Sequence, residues 1–99
     1  MQIERHTISL ADGGSLTIEG VKLASQRWGC GFDRSRGFMQ VFEVQGVEKP
    51  YVAYHLDTRQ NIERVEQFAR LEELSGFFGF CPRAVTLYEA LKIPVRNVA

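Results

Sequence analysis

The feature that most constrains this chain is a change of hydrophobic period near Asp57. Before it, apolar residues alternate with polar ones, as half-buried strands require. After it, they recur at helical spacing. Strands first and helices last is the order of an α+β domain, not of βαβ units. The expected architecture is an antiparallel sheet of four to five strands over about residues 2–56, followed by two C-terminal helices, about 58–75 and about 82–93, packed on one face. Ninety-nine residues with 44% hydrophobic content suit a single compact α+β domain spanning 1–99.

The strand half opens with a hairpin. Ile8 and Leu10 share one side, Leu16 and Ile18 share another, and Asp12-Gly13-Gly14 between them supplies turn chemistry. Gly20 marks a turn or bulge, and Val21–Trp28 reads as a further strand, with a short helix as its rival. Gly37–Val44 carries apolar residues on both faces, Phe38, Phe42 and Val44 opposite Met39 and Val41. A central strand covered on each side is expected. Gln45–Pro50 turns the chain into Tyr51–Leu56.

For the helix half, Asp57-x-x-Gln60 resembles a capping box. Ile62, Val65, Phe68 and Leu71 then fall on one half of a helix, which Ser75-Gly76 would end. Pro82 suits the first position of a second helix, whose Ala84, Leu87, Tyr88 and Leu91 gather on one side. The connector Phe77-Phe78-Gly79-Phe80 has two readings, rings that lock the helices to the sheet or a protein-binding knob. Counted from Phe77 to Cys81, the connection is longer than the 3–4-residue turn of a helix-turn-helix.

Charge narrows the function classes. Lys+Arg and Asp+Glu both total 12, which argues against a dedicated duplex-DNA binder. The only basic cluster, Lys22, Arg27, Arg34 and Arg36, runs into the glycine-rich stretch Trp28–Phe38. Trp28, Phe32, Arg34 and Arg36, with Lys22 and Arg27 beside them, are the candidate partner-binding residues. Arginine forks suit carboxylates or phosphates, and Trp28 or Phe32 could stack on a base. The competing reading is a turn whose aromatics plug the core and whose arginines are solvated.

Other motifs match only in part. Arg36-Gly37-Phe38 and Val41 match the RNA-binding strand of the RRM, yet Gln40 and Glu43 stand where that pattern needs aromatic rings. Gly29-Cys30-Gly31 lacks the lysine and following helix of a phosphate loop. His55-Leu56-Asp57 offers two metal-type ligands, fewer than a site requires, and His55 is expected on the polar side of its strand. Cys81, ahead of Pro82, occupies a helix start, and either it or Cys30 would need a histidine such as His55 to act as a nucleophile.

Two cysteines are too few for a disulfide framework, Gln2-Ile3-Glu4-Arg5 lacks the features of a secretory leader, and no apolar run approaches the ~20 residues of a membrane span. A cytoplasmic protein with free thiols is expected, without cofactor, metal or membrane contact, as monomer or homodimer. The expected function is non-catalytic: binding and inhibiting or regulating a larger protein or complex. Inhibitors and immunity proteins of phages or mobile elements have this form. A single-stranded RNA or DNA module and a cysteine-dependent enzyme are the alternatives.

Overall fold

A computed structural model describes residues 3–10, 13–29 and 36–93 of the chain. Among them, five antiparallel strands are ordered β1-β2-β3-β4-β5. They are β1 (Glu4–Ser9), β2 (Ser15–Gly29), β3 (Arg36–Glu43), β4 (Tyr51–Asp57) and β5 (Ile62–Phe68). A single 3₁₀ turn at Leu71–Glu73 leads into two helices, α1 (Leu74–Phe78) and α2 (Pro82–Ala90). The α+β arrangement with two final helices is as expected.

The first hairpin forms where its pattern puts it, with Ile8 paired to Leu16 and His6 to Ile18. β2 does not stop at Gly20. Residues 15–20 pair with β1, and residues 21–29 pair with β3. Gly20 sits at the junction, where any Cβ would collide with the Glu43 carbonyl. Glycine there is a close-approach device, and the bulge lies instead between Lys22 and Ala24. Beyond this junction the hairpin of β1 and early β2 lies over one face of β3 and β4. Ile18, Phe42 and Val52 pack together there with Ile8, Leu16 and Val44, and the His6 ring rests 4.9 Å from that of Phe42.

The helices cover the opposite face. Met39, Val41 and Ala53 of the sheet join Leu74, Phe77, Phe78, Ala84, Leu87 and Tyr88 in the larger core. β3 is thus covered on both sides, as its doubly apolar pattern requires, and the Met39–Val41 face is buried beneath helices. Tyr88 ties the helices together: its hydroxyl donates to the Gly79 carbonyl at 2.6 Å and reaches the Leu74 carbonyl at 3.1 Å. Burial, with Cys81 adding to it, pushes this phenol up to about 12, so it remains a donor at ordinary pH.

The first expected helix, 58–75, is corrected. Residues 62–68 form β5, paired along its length with β4. Asp57 Oδ1 accepts the Arg59 and Gln60 N–H groups at 3.0 and 3.2 Å, the bonds an N-cap would make. Asn61 then takes φ 56°, and the chain reverses into a hairpin. One local signal serves both an Asx turn and a helix cap. An unpaired β4 edge decides between them, because pairing it satisfies a whole row of backbone groups.

The helix starts later, where the Glu73 carboxylate accepts the Ala69 and Arg70 N–H groups at 3.1 and 3.2 Å. Gly76 lies inside α1, and Gly79 (φ 76°) ends it. Pro82 takes the first position of α2 as expected.

Candidate functional site: a donor-rich cleft beside the aromatic connector

At the end of the sheet where β2 finishes and β3 begins, the helices do not close down completely. A cleft of about 440 Å³ remains, lined by Trp28, His55, Asp57, Arg64, Phe77, Phe78, Cys81 and Arg83 among others. Strand register places the sheet residues. Trp28, Gly37, Asp57 and Ile62 lie abreast across four strands, and Gln26, Met39, His55 and Arg64 form the next row. Every second residue points to this face.

The Trp28 ring lies over Gly37, where a Cβ would overlap the indole. Arg83, in the first turn of α2, places its guanidinium 4.5 Å from the Trp28 ring centroid. Opposite, the Arg64 guanidinium lies 4.7 Å from the Phe77 ring centroid. Two planar cations therefore rest on two aromatic faces at the rim. Such stacking orients a guanidinium while leaving its N–H edge free.

His55 is half-buried between these walls, with ring centroids 5.7 Å from Phe78 and 6.5 Å from both Phe77 and Trp28. It does not sit on a polar strand face. The helical reading of residues 58–75 concealed its neighbours, because Arg64 reaches its side only through β5. Burial holds the imidazole below its ordinary 6.5; Asp57 opposes this and Arg64 reinforces it. At neutral pH the ring is uncharged and offers one N–H.

The hydrogen-bond inventory is unbalanced. Among the described residues no acceptor bonds the Trp28 indole N–H, the His55 ring or the Arg83 guanidinium. Arg64 has Glu66 at 3.6 Å, a pair half exposed to solvent and so worth little. The acceptor charge lining the cleft is Asp57, one of whose oxygens is taken by its own turn.

The candidate residues divide between the faces. Trp28 belongs to the cleft. Lys22, Arg27 and Arg36 align with Phe42, Phe38 and Gly29 on the other face, and all three are exposed. Arg27 lies 5.0 Å over the Phe38 ring, and Arg36 is tied at its backbone, its N–H donating to Thr58 Oγ1 at 2.8 Å. Phe32, Arg34 and Cys30 lie outside the described residues, as does any proximity of Cys30 to Cys81. The aromatic connector divides too: Phe77 and Phe78 are buried, while Phe80 is 59% exposed.

Cys81 is exposed at the N-cap of α2, and no hydrogen bond joins it to His55 although both line the cleft. Among the described residues no group of three or more His, Cys, Asp or Glu side chains could hold a metal ion, and no helix is long and apolar enough to cross a membrane. No family model, curated protein or solved structure matches the chain.

Proposed function

We propose that this protein is a small non-catalytic interaction protein that inhibits or regulates a larger protein or complex, in the manner of an inhibitor or immunity protein. The observation that carries the reading is Phe80. A large aromatic ring 59% exposed on a short connector lies next in sequence to Cys81, at the rim of a cleft that carries Arg83. Aromatic and arginine side chains together are the residues that dominate protein–protein binding energy. The contact surface runs from Phe80 across the cleft mouth to Trp28. Phe80→Ala is expected to abolish capture of the partner from the source organism's lysate, read by mass spectrometry, with the melting curve unchanged. Undiminished capture would remove this surface from the reading.

A second reading has an observation of its own. Arg27 and Arg36 share a shallow groove of about 230 Å³ with Phe38 and Tyr54 on the opposite face, a basic and aromatic mixture suited to single-stranded nucleic acid. It requires salt-dependent binding of a labelled oligonucleotide. No binding at low salt in a micromolar titration removes it.

A further inference from the structure

We infer that the cleft is a carboxylate-binding site, built to receive an acidic side chain that a protein partner presents beside an apolar residue. The inference rests on the interaction reading above and names what that surface grips. Its basis is the convergence of donors. The Trp28 indole N–H, the His55 ring and the Arg83 guanidinium line one cleft, and none has an acceptor among the described residues. Groups of this kind are costly to leave without partners once a docked surface has excluded water. In the free protein these donors meet solvent, and a docked ligand that supplies acceptors would replace that water.

The chemistry favours a carboxylate over other acceptors. A guanidinium fork matches the two oxygens of a planar carboxylate; Arg83 is held by stacking on Trp28 with no acceptor among the described residues, and Arg64, stacked on Phe77, has only the half-exposed Glu66 at 3.6 Å. Asp57 lines the same cleft and limits its excess positive charge, which penalises a doubly charged phosphate more than a monoanion. The walls formed by Phe77, Phe78 and Trp28 accept the apolar body that carries the group. At about 440 Å³ the space admits a side chain and its neighbour.

Phenylacetate, phenylacetamide and phenyl phosphate serve as probes against the ¹⁵N-labelled full chain. Phenylacetate is expected to move the Trp28 indole and Arg83 amide signals saturably at millimolar concentration, and phenylacetamide to leave them in place. Arg83→Gln should weaken phenylacetate roughly tenfold, the scale of one lost charge-assisted hydrogen bond. Arg27→Gln on the opposite face should change nothing. If Arg83→Gln does not fold, Arg64→Gln tests the same point.

Equal response to the amide, or equal or tighter binding of phenyl phosphate, overturns the assignment. So does unchanged affinity in a folded arginine variant. Partner capture without any phenylacetate response overturns the carboxylate site alone. Phenylacetate binding without any partner overturns the interaction reading alone.

Discussion

The two faces of the sheet are covered in different ways, and only one cover leaves a cleft lined by both cationic and aromatic side chains. The hairpin of β1 and early β2 covers one face with aliphatic side chains and the His6 ring. The helices cover the other with a larger core that stops short at the Trp28 end, leaving the cleft. Among the described residues only the hairpin face buries a polar side-chain atom without a partner, whereas the cleft donors are open to solvent. His6 Nε2 is buried against Phe42 without a partner and has no open space lined by companions. The cleft donors stand together around a cavity. An isolated orphan weakens a core, whereas a convergent set of donors defines a ligand's shape.

The largest expected effect tests the helix-covered core. Leu87, on the buried face of α2, is fully enclosed, and Leu87→Ala should cost about 3 kcal/mol in urea unfolding. Ile18→Ala under the hairpin should cost less, about 2 kcal/mol, because an edge hairpin relaxes into the space more readily. Equal costs would erase the contrast between the faces.

Next comes the junction that creates the second cover. Gly20→Ala forces a Cβ against the Glu43 carbonyl, a backbone atom that cannot swing away. A loss of about 1–3 kcal/mol is expected, with hydrogen-exchange protection falling first in β1. Retained protection there would mean that the close approach is dispensable.

The smallest effect is a pH dependence carried by the cleft. The folded His55 value lies below its ordinary 6.5, so the unfolded chain binds more protons between the two values. Stability should therefore be level above 6.5 and decline as pH falls through 6.5 toward the lower folded value. Asp57 opposes this shift, and Arg64 from β5 reinforces it. His55→Gln should flatten this part of the profile. An unaltered slope would place the titration elsewhere.

Much of the sheet was legible because its signals are local. The turn chemistry of Gly13-Gly14, the doubly apolar β3 and the aromatic β4 each carry their own pattern. β5 was not, because Ile62, Val65 and Phe68 keep helical spacing and Asp57 makes cap-like bonds in either conformation. Only the edge of β4, a tertiary fact, selects the strand. The site was half legible for the same reason. Trp28 and Cys81 declared themselves by type and position. Arg64 could not, since β5 alone brings it beside His55, and Phe80 could be told from Phe77 and Phe78 only by exposure.

The central claim is that the cleft face, not the Arg27–Arg36 face, is where this protein makes its contact. Amide chemical-shift mapping of the full chain on titration with its captured partner tests it most directly. The account predicts that His55 and the segment from Gly76 to Arg83 shift or broaden while Arg27, Phe38 and Gln40 stay in place. Perturbation confined to Arg27, Phe38 and Gln40 would contradict it.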